Sequence, residues 1–226
     1  PPDPTSAAIC TVGGNLACNA AGPRAVKYGT PRENTLGLRI VTGTGAQLRV
    51  GVNTTKGVVG YDLTRLLIGS EGTLALISEA TLRLTPLAEA KRTLRALYRD
   101  VYSAARAVSS MMAQAITPCV LEIIDQAAIE MVRGYAPAAA VTLPEAVGAL
   151  LMIEIDGAAN SLDEAAEKIA LAARNDGCLE IAQARGEKAL RLLGRDAEPG
   201  EHGGERLRQA GALSQRGGPA FGLRIG

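Results

Sequence analysis

The second half of the chain alternates between short strand-like runs and amphipathic stretches, and this alternation restricts the fold more tightly than any other feature of the sequence. "RTLRALY", ending at Tyr98, has the period of a strand, "YSAARAVSSMMAQA" (102–115) that of a helix with one apolar face, and "CVLEII" (119–124) that of a strand again. Asp125 stands where it can cap a short helix, "QAAIEMVR", and a loop containing Pro137 and Pro144 then leads to the strand "ALLMIEI" (149–155). Ser161 and Glu164 have capping-box spacing for a helix running to near Asn175, Gly177 supplies its stop, and "CLEIAQA" closes as a strand.

The order β-α-β-(α)-β-α-β over residues 90–185 predicts a split β-α-β layer of the ferredoxin-like kind. Residues 1–89 read differently. "TLGLRIVT" (35–42) and "QLRVGV" (47–52) alternate apolar and polar side chains around "GTGA", the pattern of a β-hairpin. Gly43 and Gly45 form a GxG, but the third glycine of a dinucleotide fingerprint is missing and a strand follows, so nucleotide binding by that pair is set aside. In "YDLTRLLIGSEG" Asp62 can cap a short helix and Gly69 can take the left-handed conformation that stops it. "TLALISEATLRL" then supplies one or two strands before Pro86. The expected fold class is α+β. From Gly186 to residue 226 the chain is rich in Gly, Arg and Glu with few aliphatic positions, and an aberrant or disordered tail is expected there.

Charge excludes one class of partner. With 24 Lys+Arg against 23 Asp+Glu the net charge is +1, too little to gather nucleic acid or acidic headgroups. The four Cys (Cys10, Cys18, Cys119, Cys178) are widely spread without a CxxC pair, which fits a reducing cytoplasm. No apolar run approaches the roughly 20 residues that span a bilayer, so any membrane association is expected through a partner. The one His, His202, lies in the tail, which argues against His-based triads and metal sites. The opening "PPDPTSAAIC", without an initiator Met, reads as the start of a fragment.

The segment that bears on function is "TVGGNLACNAAG" (11–22). Main chain stripped of side chains lets a flat or charged ligand approach closely, and its N–H groups can donate to phosphate oxygens. Gly13 and Gly14 give that access, while the amides of Asn15 and Asn19 can bind a cofactor's polar edge or tie the loop to itself. The alternative is a tight turn into a helix packed closely through Ala17, Ala20 and Ala21. A second small-residue turn, Gly69-Ser70-Glu71-Gly72, precedes a strand in the same manner.

Taken in order, "PPDP" at 1–4, "TVGGNLACNAAGPRAVKYG" at 11–29 and "GYDLTRLLIGSEGTLALISEATLRLTPL" at 60–87 resemble the FAD-linked oxidases, whose flavin domain is shared with vanillyl-alcohol oxidase. The likeness is greatest to glycolate oxidase FAD-binding subunits and D-lactate dehydrogenases, and runs from residue 1 to about 185. It implies that residues 1–89 are the second half of a VAO/PCMH-type FAD-binding domain and residues 90–185 part of a cap (substrate) domain. It implies a cofactor, FAD, and a wall for it: Asp3 and Thr11 beside the flavin or its pyrophosphate, then Gly13, Gly14, Asn15, Asn19 and Ala20. The segment from Glu71 through Gly72 to Ile77 would lie along the adenine-ribose end, largely through its backbone. The implied reaction is oxidation of a small 2-hydroxy acid, glycolate or D-lactate, by hydride transfer to the flavin. Implied partners are a second flavin-type subunit and an iron-sulfur subunit, which could hold a cytoplasmic protein against the inner membrane.

The chain also departs from that pattern. The family's N-terminal pyrophosphate loop and its C-terminal His- and Asp-containing metal and substrate segment have no counterpart here, so the chain by itself is expected to be inactive and its catalytic residues stay unknown. Ala21 and Ala75 stand where glycines are usual, and the tail suggests a frame slip in place of the family's continuation. Two other readings remain: a non-catalytic α+β scaffold, and another flavoenzyme of the same fold. The reductase that makes the peptidoglycan sugar precursor fits the "YDLTRLLIGSEGTL" stretch poorly.

Overall fold

The structure, a computed structural model, describes residues 2–52, 54, 56–135, 143–184 and 224–225. The chain divides into two compact units, Pro1–Pro86 with Pro199–Gly226, and Leu87–Glu198.

In the first unit two short helices, α1 (Val12–Cys18) and α2 (Ala25–Tyr28), precede the hairpin of β1 (Thr35–Thr42) and β2 (Gln47–Gly51). Thr42 N–H donates to the Ala46 carbonyl at 2.9 Å, and Gly45 takes the positive φ (83°) that the turn needs. After α3 (Leu63–Leu67) comes β3 (Ala75–Leu82), antiparallel to β1 and the single strand formed by the 73–84 stretch. Alternation along β1 buries Leu38 and Ile40 and turns Arg39 outward, where it pairs with Glu79 of β3 at 3.4 Å. Leu16 of α1 and Leu67 of α3 complete this core with Val50, Ile68, Ala75 and Ala80. As expected, Asp62 Oδ1 caps α3, accepting from Arg65 N–H at 3.0 Å.

The second unit contains β4 (Ala90–Tyr98), α4 (Val101–Met112), β5 (Val120–Asp125), α5 (Gln126–Tyr135), β6 (Ala149–Gly157), α6 (Leu162–Ala172) and β7 (Cys178–Ala184). Its sheet order is β5-β6-β4-β7, antiparallel throughout, which is the split β-α-β arrangement with α5 inserted. The apolar stripes of α4 (Ala104, Ala107, Met111) and α6 (Leu162, Ala166, Ile169) pack on Leu94, Ala96, Leu151, Ile153 and Ile155. Ile129 of α5 meets Leu97 and Leu150 on the opposite face. Asp125 Oδ1 accepts from Ala128 N–H at 2.9 Å, the cap its position predicted. Asp100, unremarked in the sequence, caps α4 through Ser103 N–H at 2.7 Å.

Two local expectations are corrected. Ser161 has helical dihedrals (φ −108°, ψ −4°) and makes no side-chain cap, while Glu164 pairs with Lys168 at 2.6 Å instead of reaching back, so no capping box forms. Helix α6 ends at Ala172 rather than near Asn175, and Asn175 ties the following turn by donating to the Ser103 carbonyl at 2.8 Å. Gly177 then sits where any Cβ would overlap the Ser103 side chain. The expected Pro137 loop lies outside the described residues, as does the tail from Gly186 apart from Arg224–Ile225, a short strand β8 parallel to the end of β3.

Candidate functional site

Two glycines make "VGGNLAC" a poor helix on propensity alone, and α1 holds through its ends. Thr11 Oγ1 accepts from Gly14 N–H at 3.0 Å at the start, and Leu16 anchors the helix in the core. At the other end Asn19 adopts the left-handed conformation (φ 50°, ψ 43°), and Ala20 N–H returns to the Asn15 carbonyl at 2.9 Å. The last carbonyls of the helix accept from the second bare segment: Gly69 N–H donates to Leu16 at 3.0 Å and Glu71 N–H to Ala17 at 2.9 Å. Two stretches distant in sequence are thus joined through their main chains, the end of a helix to a turn. Positive φ at Gly69 (83°), Glu71 (53°) and Gly72 (79°) bends the second stretch around the first.

Of the residues singled out, Asp3, Thr11, Gly13, Gly14, Glu71 and Gly72 are exposed, and Asn15, Asn19, Ala20 and Ile77 are half-buried. The Ile77 side chain turns to the core rather than outward, which leaves its main chain as the part that could meet a ligand. Asn19 does tie the chain to itself, its Oδ1 accepting from Arg32 N–H at 3.2 Å. Glycines in these segments are bare for two different reasons. At Gly13 a Cβ would meet nothing within 4 Å, and at Gly72 only Leu76 Cδ2 at 3.9 Å, so both face open space. At Gly22 a Cβ would overlap the Asp3 carbonyl, and at Gly69 it would come within 2.9 Å of Arg32 Nη2 and 3.1 Å of Asn19 Cβ. Those two are small because the chain itself fills the volume.

Sequence reading passed over the turn that braces this surface. Arg32 Nε donates to the Ile68 carbonyl at 3.1 Å, and Asn34 Nδ2 donates to the carbonyls of Tyr28 and Thr30 at 2.8 and 2.9 Å. Glu33 Oε2 accepts from the hydroxyl and the N–H of Thr30 at 2.6 and 2.7 Å, and Arg65 stands 3.4 Å from Oε1. The Thr30 hydroxyl holds the Glu33 carboxyl below its ordinary pKa; partial burial opposes this, and the Thr30 amide and Arg65 add to it. The Thr30–Asn34 spacing is a local turn signal, whereas contacts to Ile68 and Arg65 depend on the fold. Beyond the turn, β3 is paired with β1 along one edge, and among the described residues its other edge is paired only at Thr81 and Leu82.

A surface of small residues and open main-chain edge, followed by a ferredoxin-like unit, has counterparts among known proteins. Residues 1–51 match the family described as "FAD binding domain" and residues 87–199 that described as "FAD linked oxidases, C-terminal domain". The chain is 40% identical over 188 residues to the glycolate oxidase subunit GlcD of Bacillus subtilis (strain 168), covering 83% of this chain and 39% of that protein. It is 34% identical to GlcD of Escherichia coli (strain K12), covering 74% of this chain and 33% of that one. A D-lactate dehydrogenase of Archaeoglobus fulgidus is 41% identical over 131 residues, 58% of this chain and 29% of that enzyme. The chain therefore spans less than half the length of these relatives. A solved alkyldihydroxyacetonephosphate synthase superposes with a TM-score of 0.64 at 21% identity over 84% of this chain and 37% of its own, a likeness of fold. No helix among the described residues is long and apolar enough to cross a membrane. Bare main chain in two joined segments and a match that continues through the ferredoxin-like unit agree, and the chain belongs to the FAD-linked oxidases, whose cofactor is FAD.

Proposed function

We propose that the main-chain surface built from Thr11–Ala20 and Gly69–Ile77 is one wall of an FAD site, and that the protein of which it is part oxidises a small 2-hydroxy acid such as glycolate or D-lactate. The observation that carries the reading is the pair of bonds from Gly69 N–H to Leu16 and from Glu71 N–H to Ala17, which make one surface of two distant segments. Gly13 and Gly72 leave open space on it, as a cofactor lying against main chain requires. FAD held there would supply the two-electron acceptor that oxidation of a 2-hydroxy acid to the 2-oxo acid needs, with the hydroxyl proton released to solvent or a base.

The chain's own residues bind and orient. Thr11 and Asn19 fix the two ends of α1, and the positive φ of Glu71 and Gly72 bends the turn that would face the ligand. Asp3 stands at the end of the wall, its main chain seated against Gly22. Relatives named as subunits of glycolate oxidase support a protein that works with partner subunits; a second flavin-type subunit, an iron-sulfur subunit and membrane contact through them are part of the same proposal and rest on the resemblance alone. The test is titration of the purified chain with FAD, followed by flavin fluorescence and by the melting temperature. Binding with a raised melting temperature is expected. A chain that leaves FAD fluorescence and its own melting temperature unchanged would favour the non-catalytic scaffold. For the full-length protein, bleaching of the flavin absorbance by glycolate or D-lactate reads the substrate.

A further inference from the structure

The wall carries no positive charge of its own. Thr11, Gly13, Gly14, Asn15, Asn19, Ala20, Gly72 and Ile77 are neutral, and Asp3 and Glu71 are acidic. A diphosphate laid on it would meet amide dipoles only. Beside the junction of the two segments, however, stands Arg32. Its backbone N–H donates to Asn19 Oδ1 at 3.2 Å and its side-chain Nε donates to the Ile68 carbonyl at 3.1 Å, so the main chain is tied to one segment and the head group to the other. Among the described residues no carboxylate pairs with it, and Nη1 and Nη2 make no hydrogen bond. Gly69 keeps its seat clear, since a Cβ there would lie 2.9 Å from Nη2. The side chain is exposed.

From this we infer that Arg32 is an anion-recognition residue of the wall, presenting the outer edge of its guanidinium to a phosphate of the cofactor. The inference rests on the FAD reading and adds to it the one full positive charge the surface lacks. A planar guanidinium fixed through Nε retains two parallel N–H donors, the geometry that grips a phosphate with two bonds. Holding the head group through Nε also removes part of the rotamer entropy that a free arginine would lose on binding.

The test compares the chain with its Arg32→Gln and Arg32→Lys variants against three probes: FAD, riboflavin, which has the ring without phosphate, and inorganic pyrophosphate. Arg32→Gln is expected to weaken FAD and pyrophosphate by about tenfold or more and to flatten the salt dependence of both. Arg32→Lys should keep the salt dependence and recover part of the affinity. Riboflavin binding should not change. Melting of the free variants registers the lost bond to Ile68 separately. Equal FAD and pyrophosphate affinity in wild type and Arg32→Gln, or an equal loss of riboflavin, would overturn the inference and leave the FAD reading standing. Pyrophosphate binding that depends on Arg32 without any FAD binding would sustain the anion role and sink the FAD reading. Binding of neither by the wild type would sink both.

Discussion

In the second unit the residues that strand and helix periods turn inward find partners inside the same unit: Leu94, Tyr98, Met111, Leu151, Ile153, Leu162 and Ile169 are buried to within about 2% of full coverage. Even the Tyr98 hydroxyl is used, donating to the Ala173 carbonyl at 2.7 Å. In the first unit a smaller core of Leu16, Leu38, Ile40, Leu67 and Ile68 lies beneath a surface on which Ile9, Tyr61 and Leu76 stay largely exposed, Tyr61 at 94%. Its turns carry the left-handed Asn19 and Glu71, and β3 leaves main chain unpaired among the described residues. Among the described residues the second unit also leaves Tyr102 and Leu171 exposed and has open edges at β5 and β7, so the contrast lies in the size of the two cores and in the left-handed turns of the first unit. The difference teaches that the second unit rests on a large core of buried side chains, while the first rests on a smaller core held by turns and caps.

The largest expected effect tests the unit with the larger core. Ile153→Ala in β6 should cost about 2–5 kcal/mol in urea unfolding, because the void left among α4, α6 and β4 cannot collapse. Leu76→Ala in β3, at 68% exposure, should change stability by no more than about 0.5 kcal/mol in the free chain. Equal losses at the two positions would break the comparison. Next in size, Gly69→Ala forces a side chain into a left-handed residue and towards Arg32, and a loss of about 1–2 kcal/mol or more is expected. Gly13→Ala is its counterpart. With nothing within 4 Å of the new methyl and a helical backbone, it should stabilise the free chain by about 0.5–1 kcal/mol while weakening FAD. A Gly13→Ala variant that is stabilised and binds FAD undiminished would remove Gly13 from the wall. Thr11→Ala, which leaves Gly14 N–H without its partner, should cost about 1 kcal/mol by thermal melting.

How far the sequence discloses all this depends on how local each feature is. The hairpin around Gly45 and the caps of Asp62 and Asp125 are legible because their hydrogen bonds close within four residues. Ser161 misleads for the same reason: spacing gives the candidate, but helical dihedrals turn its hydroxyl back to the Ala158 carbonyl at 3.5 Å, leaving Glu164 to Lys168. The ferredoxin-like order is legible because each element has its own period. What brings Leu16 to Gly69 is tertiary, and a string of letters shows two bare segments without their bond. Nor does sequence distinguish a glycine emptied by the chain, such as Gly22, from one facing open space, such as Gly13. Arg32 escapes notice because its significance lies in Asn19 and Ile68, thirteen and thirty-six residues away.

The smallest predicted effect concerns what braces the open unit. Glu33 joins the turn before β1 to α3 through Thr30 and Arg65, and Gly29 (φ 73°) makes room for its side chain. Because the folded carboxyl titrates below its ordinary value, its charge stabilises the fold above the unfolded pKa of about 4.3, and that contribution is lost as pH falls through the folded value. Glu33→Gln should therefore be less stable than wild type at neutral pH by a margin that shrinks on acidification and vanishes once both chains carry a neutral side chain there. Arg65 is exposed, so solvent screens its part of the interaction, and the gap at neutral pH is modest and narrows further in salt. Stability curves for the two chains, taken by urea unfolding from neutral pH to about pH 3, read this directly. A gap that held constant over the range would assign the brace to the shape of the Thr30 turn. A gap that closes assigns it to charge, and makes the brace beneath the first unit's surface a titrating contact.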